Sequence, residues 1–202
     1  ATVGINNGLK PLVLNMANAT SCGGGTSQKL DSSGRVYANG NVPCHAQEEG
    51  LFHGSDLASF LLNHEKKGDY RGSGLGTDAI ISGGVTFFRG DDGELLDKGI
   101  KVDVLTCAAP DLKHGGSTDN LKVGIRKMLL AAARNGSKDL VLSAFGCGAF
   151  DNDPKIVAQV FRDELTVEFK GIFDTVKFAI VNDHNSRQDN YGIFSKILNN
   201  CV

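Results

Sequence analysis

Short apolar runs alternate with longer segments of mixed polarity along this chain. Five runs rich in Val, Ile and Leu have the length of strands, and each is followed by glycine, proline or polar residues: residues 11–17, 86–88, 101–107, 140–144 and 176–182. The longer segments between them have helical spacing. Parallel strands covered by helices give this pattern, because such strands are buried on both faces. The pattern therefore predicts an α/β fold.

The clearest helix signal follows the strand at 140–144. Asp153 can cap the first free amides, Pro154 suits the first turn, and Gly171 is a suitable end. Four apolar residues are spaced to share one face of this helix: Ile156, Val157, Val160 and Phe161. We therefore expect a well-defined helix that begins at residue 154.

Two further helices are predicted from apolar spacing. One covers residues 118–135 and ends at Gly136, and it would bury Leu121, Ile125, Met128, Leu129 and Ala132. The other covers residues 46–63 and would bury Leu57, Phe60 and Leu61. Its first turn would lie near the strand ends.

Two polar stretches contain several glycines. Residues 26–43 are expected to form a loop or an irregular excursion, and residues 68–84 a glycine-rich connector. No internal repeat or domain linker is found, and 202 residues suit one domain with one core.

Charge and cysteine content narrow the function classes. The chain has 21 basic and 23 acidic side chains and a net charge of −2, so no long-range positive field gathers nucleic acid. No apolar window of about 18 residues and no signal-peptide pattern is found, which predicts a soluble, cytoplasmic protein.

The five cysteines form no CxxC pair, which favours a reducing compartment over a disulfide framework: Cys22, Cys44, Cys107, Cys147 and Cys201.

The first candidate site is the end of the segment 15–25, where Gly23, Gly24 and Gly25 are consecutive. Without Cβ atoms, backbone amides in this turn can approach a ligand and converge on an anion such as a diphosphate. A plain flexible turn is the alternative interpretation, because glycine is common in loops.

The second candidate is Gln47-Glu48-Glu49 at the start of the helix predicted over 46–63. The helix dipole favours carboxylates in a first turn, where they are often only solvated. Beside a phosphate-bearing ligand, two adjacent carboxylates repel negative charge, which favours the protonated form of one of them near neutral pH. The pair is therefore a candidate for acid–base chemistry.

The third candidate is the segment 140–150, a strand that enters Gly146-Cys147-Gly148-Ala149-Phe150 before the capped helix. Such a turn suits a phosphate, because its amides and the helix dipole point the same way. The third glycine of a dinucleotide fingerprint is missing, and residues 72–76 have the wrong spacing for one. We therefore expect neither nicotinamide chemistry nor any other cofactor.

In this order, the three segments resemble the bacterial-type poly(ADP-ribose) glycohydrolases, a branch of the macrodomains with a triple glycine followed by Gln-Glu-Glu. The likeness extends through residues 85–91, 107–110, 146–154 and 178–181, and so covers nearly the whole chain. It implies a three-layer α/β/α macrodomain with a mixed, mostly parallel sheet, formed as one domain by residues 1–202. ADP-ribose would lie across the strand ends.

The resemblance also implies roles for the matching residues. Glu49 matches the catalytic residue, and Glu48 and Asn18 match residues that hold the reacting ribose through its hydroxyls. Phe150 would pack on the distal ribose, and residues 181–183 would lie near the adenosine. The substrate-binding set implied in this way is Asn18, Gly23, Gly24, Gly25, Gln47, Gly146, Cys147, Gly148, Ala149, Phe150 and Asn182.

The implied reaction is cleavage of a ribose O-glycosidic bond in poly(ADP-ribose) through an oxocarbenium-like transition state. Protonated Glu49 would protonate the leaving hydroxyl, and its carboxylate would then take a proton from the attacking water, while Glu48 orients the sugar. Two alternatives stay open. One is removal of single ADP-ribose units from protein or nucleic acid, and the other is a reader that binds ADP-ribose without cleaving it.

The expected partner is ADP-ribose or poly(ADP-ribose) on modified macromolecules. We expect no membrane association, no sequence-specific nucleic acid binding and a monomer. The sequence departs from the family pattern in two places. Residues 26–46 replace a much shorter connection between the glycines and Gln-Glu-Glu. The chain also begins almost at its first strand, so the N-terminal segment of bacterial members is expected to be missing. The first departure leaves the preference for polymer over single units open.

The cysteines also suggest two other functions, metal binding and nucleophilic catalysis. A metal site from Cys22, Cys44, His45 and His53 has no tight zinc spacing, and no metal is expected. A thiol nucleophile at Cys147 lacks a local histidine partner, which favours a role as a small loop filler.

Overall fold

The computed structural model describes residues 10–25, 46–66, 78–90, 93–182 and 186–199. Within these residues the strands are β1 (Pro11–Met16), β2 (Ala79–Arg89), β3 (Leu95–Cys107), β4 (Asp139–Leu142) and β5 (Thr175–Phe178). The α-helices are α1 (Gln47–Gly54), α2 (Leu57–Lys66), α3 (Asp119–Arg134), α4 (Pro154–Asp163) and α5 (Asn190–Leu198). A 3₁₀ turn covers Leu112–His114, and a π-helical turn, Glu164–Glu168, extends α4.

The five strands form one sheet in the order β2-β3-β1-β4-β5. β3, β1, β4 and β5 are parallel, and only β2 runs antiparallel to its neighbour β3. The prediction of a mixed, mostly parallel sheet is confirmed. The parallel arrangement brings the carboxyl ends of β1, β4 and β5 to one edge, where α/β proteins usually bind ligands.

Helices cover both faces of this sheet. Successive strand residues point to opposite faces. Val104 belongs to the apolar cluster that includes residues of α1 and α2, and Leu105 belongs to the cluster that includes residues of α3, α4 and α5. Both side chains are buried. The protein therefore has the three layers that the family resemblance implied.

The predicted helix over 46–63 is in fact two helices, which is a correction to the sequence analysis. The interruption lies at Ser55 and Asp56, and both residues are tied to the edge strand β2. Asp56 accepts a hydrogen bond from the Thr86 N–H at 2.8 Å and donates its own N–H to the Thr86 carbonyl at 3.1 Å. Apolar spacing could not show this break, because bonds to a strand 30 residues away cause it. Of the predicted core residues, Leu57 and Leu61 are fully buried, and Phe60 is partly buried.

The predicted glycine-rich connector over 68–84 is also wrong in its last six residues. Residues 79–84 belong to β2, which begins seven residues before the predicted start at Thr86. The strand accommodates its glycines through a register shift between Ser82 and Val85, where Gly84 has a φ of 72° and its N–H donates to Asp103 Oδ1 at 2.8 Å. Bulges of this kind are common in edge strands, so the glycines do not end the strand.

The other elements differ from the predictions mainly at their ends. α3 buries all five of its predicted core residues, and Asp153 Oδ1 caps α4 by accepting the Lys155 N–H at 2.8 Å. On α4, Val157 and Phe161 are buried, whereas Ile156 is 42% exposed and lies off the predicted face. β4 and β5 stop at Leu142 and Phe178, two and four residues before their predicted ends, and β3 begins six residues before its predicted start at Lys101.

The predicted excursion over 26–43 lies outside the described residues, as do residues 68–77 of the connector. In the part of the chain that the structure describes, no helix combines the length and apolar character needed to cross a bilayer.

Candidate active site

A cavity of about 310 Å³ opens at the carboxyl ends of β1, β4 and β5. Its lining comes from five parts of the chain: the end of β1 with the turn after it, the first turn of α1, Ala109 after β3, the loop after β4 and the region from the end of β5 to the start of α5. All three segments selected by the sequence analysis meet at this cavity. Its volume lies at the lower end of the range for small-molecule sites.

Gln47 attaches the first turn of α1 to the end of β1. Its Oε1 accepts the Met16 N–H at 2.8 Å, and its Nε2 donates to the Leu14 carbonyl at 2.6 Å. The ladder between β1 and β4 reaches only Val13, so the side-chain amide continues the backbone pairing where β4 ends. Gln47 also lines the cavity.

Glu48 lines the cavity but is only 2% exposed. Its Oε2 accepts the Asn18 N–H at 2.8 Å, and its Oε1 accepts from Asn15 Nδ2 at 3.4 Å. Asn15 in turn donates to the buried Thr106 Oγ1 at 3.3 Å. A buried carboxylate needs donors of this kind, because charge removed from water is costly unless it is hydrogen-bonded.

Glu49 is half-buried and reaches the glycine turn. Its Oε1 accepts the Gly25 N–H at 2.9 Å. A Cβ on Gly25 would lie only 2.8 Å from the same oxygen, and one on Gly24 would lie 3.4 Å from it. The absence of side chains in this turn therefore allows the carboxylate to approach the backbone.

The glycine turn is held by its own backbone and by Asn18. Asn18 Oδ1 accepts from the N–H groups of Thr20 and Ser21 at 2.9 and 3.0 Å, and Gly24 N–H donates to the Ser21 carbonyl at 2.9 Å. Gly23 and Gly24 have φ values of 79° and 57°, which suit glycine. Gly24 and Gly25 line the cavity, and their N–H groups bond to Ser21 and Glu49. The convergence of this turn on an anion stays a prediction.

The loop after β4 differs from the glycine turn in this respect. Gly148, Ala149 and Phe150 line the cavity, and among the described residues no acceptor is found for their backbone N–H groups. α4 begins four residues after Phe150. Consecutive unpaired amides ahead of a helix N-terminus form an environment that favours a phosphate.

Gly146 and Asn152 close the base of this loop. Asn152 Nδ2 donates to the carbonyls of Pro110 at 2.8 Å and Gly146 at 3.1 Å, and its backbone N–H donates to Gly146 at 3.0 Å. A Cβ on Gly146 would lie 2.5 Å from Ala109 Cβ and from Asn152 Nδ2, so only glycine fits there. Asn152 is 2% exposed.

Cys147 lies within the loop but does not line the cavity. It is buried, and burial, followed by the negative charge of Asp153, raises the pKa of its thiol to about 12. The thiolate is the nucleophilic form, so this cysteine is unsuited to nucleophilic catalysis near neutral pH. The loop-filler interpretation agrees with this environment.

The far end of the cavity is formed by Phe150, Ile180, Val181 and Asn190. Asn182 follows Val181 but lies outside the lining. Its Nδ2 donates to Asp189 Oδ1 at 2.7 Å, and its Oδ1 accepts the Tyr191 N–H at 3.2 Å. Both polar ends of Asn182 thus bond to the start of α5, and its contact with a ligand stays a prediction.

The described residues contain no group of three or more side chains able to hold a metal ion. Cys44 and His45, two members of the metal site weighed above, lie outside these residues. Cys22 is fully buried against α1 and α2.

Comparison with solved structures places the chain among known proteins. It is similar to poly(ADP-ribose) glycohydrolase from Deinococcus radiodurans in complex with ADP-ribose, with 29% identity, a TM-score of 0.81 and coverage of 100% of this chain and 81% of that one. It is also similar to poly(ADP-ribose) glycohydrolase from Thermomonospora curvata, with 33% identity, a TM-score of 0.71 and coverage of 96% and 70%. The chain belongs to the poly(ADP-ribose) glycohydrolase family.

A second Thermomonospora curvata structure, bound to the inhibitor ADP-HPD, is 31% identical with a TM-score of 0.72, and the match covers 95% of this chain and 72% of that one. No protein-family model and no curated protein matches the sequence. The membership confirms the resemblance recognised from the three segments.

Several polar residues of this glycohydrolase site were not identified from sequence. Ser143, Ser186 and Asn190 line the cavity, while Asn15 and Asn152 support it from below. Asn152 lies in the run that carried the resemblance, so its position was a usable signal. For Ser186 and Asn190 the sequence offered no signal, because only the path of the chain after β5 brings them to the cavity.

Proposed function

We propose that this chain hydrolyses ribose O-glycosidic bonds in poly(ADP-ribose) and releases ADP-ribose. One observation carries the proposal: a paired Glu48 and Glu49 face a glycine turn in the same cavity as a loop of unpaired backbone amides. Membership in the glycohydrolase family and the likeness to structures that hold ADP-ribose and ADP-HPD support it.

The two ends of the cavity suit the two halves of ADP-ribose. The N–H groups of Gly148, Ala149 and Phe150 would bind the diphosphate, since they lack acceptors among the described residues. The ring of Phe150, with Val181, would pack on the distal ribose and adenosine. This orientation brings the reacting ribose, whose glycosidic bond is cleaved, towards Gly24, Gly25 and the glutamates.

Glu49 would act as the acid and then the base. Its carboxyl group is anchored through one oxygen at the Gly25 N–H, which fixes its direction, and its side chain is only half-buried, which allows contact with substrate. Protonated Glu49 would protonate the leaving hydroxyl as the C–O bond breaks. The carboxylate would then accept a proton from the attacking water, and this cycle restores the acid.

Glu48 would hold the reacting ribose and stabilise the positive charge that develops on it. Its burial and its two hydrogen-bond donors keep its carboxylate in one place, so the negative charge is in position before the reaction starts. Asn18, whose Oδ1 holds the turn, would use its amide group on the ribose hydroxyls.

The test is an assay with three substrates in parallel: poly(ADP-ribose), mono-ADP-ribosylated protein and ADP-ribosylated nucleic acid. We expect release of ADP-ribose from the polymer. Release of ADP-ribose from only one of the mono-modified substrates would show that this substrate class, and not the polymer, is what the protein hydrolyses. Binding of ADP-ribose by calorimetry without release from any of the three would indicate a reader.

Glu49→Gln tests the mechanism. It keeps the size of the side chain and removes proton transfer, so turnover should fall at least about a hundredfold while ADP-ribose affinity stays within about tenfold. Glu168→Gln is a matched control, because Glu168 is exposed on the π-helical turn, pairs with Arg126 and does not line the cavity. Full activity of Glu49→Gln would remove Glu49 from the mechanism.

A further inference from the structure

Gln47, a member of the substrate-binding set, uses its side chain to join two elements of the fold. Both polar atoms of the amide are bonded to the backbone of β1, at 2.8 Å and 2.6 Å. Each polar atom keeps one further hydrogen-bonding position, but the two backbone bonds fix the orientation of the amide. The two bonds therefore give this side chain a role within the fold.

The bonds of Gln47 fix the helix that carries the glutamates. α1 begins at Gln47, and its first turn contains Glu48 and Glu49. The residue before it, Ala46, provides no side-chain cap, so the helix start depends on other bonds for its position. Gln47 supplies them by joining α1 to the strand end at Leu14 and Met16.

The next two side chains then form the contacts that define the site. Glu48 reaches the Asn18 N–H, two residues beyond Met16, and Glu49 reaches the Gly25 N–H. Three consecutive residues of α1 thus bond to three successive parts of the chain, from the end of β1 to the glycine turn. A displacement of the first bond would shift the other two, because the three side chains leave one helical turn.

We propose that Gln47 is a positioning residue that sets the register of Glu48 and Glu49 against β1 and the glycine turn. Its effect on catalysis rests on the proposed glycohydrolase function, and its effect on the two glutamate contacts does not. A misplacement of about 1 Å at a catalytic group can lower a rate about a hundredfold, so even a small shift should be measurable.

Gln47→Met provides the test, since it keeps the length of the side chain and removes both hydrogen bonds. Amide hydrogen exchange in the full chain gives a readout independent of activity. We expect exchange to accelerate about tenfold or more at Met16, Asn18 and Gly25. The N–H of Ala17 donates to the Cys107 carbonyl on the other edge of β1, so its exchange should stay unchanged and serve as an internal control.

The kinetic readout is a split between turnover and binding. For Gln47→Met, kcat on poly(ADP-ribose) should fall about ten- to a hundredfold, while the Kd of ADP-ribose changes less than about threefold. Gln159→Met, on the exposed face of α4, is the matched control and should keep both values.

Two results would overturn the inference. Faster exchange at Met16 alone, with Asn18 and Gly25 still protected, would show that Gln47 only completes the edge of β1. A kcat within twofold of the parent would show that the glutamates do not depend on it. If the parent protein releases no ADP-ribose, the proposed function fails, whereas the exchange pattern still decides the role of Gln47.

Discussion

The N–H of Gly25 donates a hydrogen bond to Oε1 of Glu49 at 2.9 Å, and a Cβ on Gly25 would lie 2.8 Å from the same oxygen. The carboxylate thus requires a residue without a Cβ at position 25. Real Cβ atoms are not found so close to an oxygen, so a larger residue at 25 must displace Glu49.

Gly25→Ala should therefore lower kcat on poly(ADP-ribose) about tenfold or more, with the fold retained. Gly50→Ala is the control for this variant. Gly50 follows Glu49 in α1, and a Cβ there meets nothing within 4 Å. Alanine in a helix should stabilise this variant by about 0.5–1 kcal/mol, measured by chemical denaturation, with unchanged turnover. Equal activity of the two variants would contradict the role given to the Gly25 contact.

Asn152→Ala should weaken the diphosphate loop. The change removes the donor that joins the carbonyls of Pro110 and Gly146 and leaves both without that partner, at a cost of about 1–3 kcal/mol in unfolding free energy. The Kd of ADP-ribose should rise about tenfold, while that of adenosine, which has no phosphates, should stay within twofold.

Calorimetry with the two ligands checks this prediction, and Asn120→Ala on the exposed start of α3 is the control. An equal loss of affinity for ADP-ribose and adenosine would mean that Asn152 supports the cavity in general and not its phosphate loop.

Cys147 should be unreactive in the folded protein. Burial first, and then the charge of Asp153, raise the pKa of its thiol to about 12, so at pH 8 only about one molecule in ten thousand holds the thiolate. The neutral thiol predominates at every pH below that value. We expect no labelling of Cys147 by iodoacetamide at pH 8, followed by peptide mass spectrometry, and a pH–rate profile from pH 6 to 9 that Cys147→Ala does not change. Rapid native-state labelling with loss of activity would refute this.

Asp189 should titrate below the ordinary range of a carboxyl group. Its pKa is lowered by the hydrogen bond from the Gly192 N–H and then by the amide of Asn182. Because the folded value lies below the unfolded one, the stabilisation of the start of α5 is present above the unfolded pKa and is lost as the pH falls through the folded pKa. Asn182→Ala removes one donor and should move the midpoint up in a carboxyl-carbon NMR titration, and an unmoved midpoint would show that Asn182 does not act on this carboxylate.

Local sequence determined much of the fold because its signals involve neighbouring residues. The spacing of Leu121, Ile125 and Met128 identified α3, and Asp153 with Pro154 identified the start of α4. These features depend on helix periodicity and on capping within a few residues. Apolar runs identified the centres of the strands. The observed strand ends differ from the predicted ones where glycines or distant pairing partners determine them.

The three motifs also identified the site, since Gly23–Gly25, Gln47–Glu49 and Gly146–Phe150 carried the family resemblance. What they could not determine is which atoms meet. The N–H groups of Gly24 and Gly25 bond to Ser21 and Glu49, and Gln47 bonds to β1.

The amino-acid order by itself therefore established the fold class, the family and the segments that form the cavity. Only the tertiary structure decided that α1 starts against the end of β1 and that the predicted helix over 46–63 breaks at Ser55. It also decided that Asn190, at the start of α5, lines the cavity. The physical reason is that hydrogen bonds and packing between residues far apart in the chain depend on the register of whole elements. No local pattern records that register.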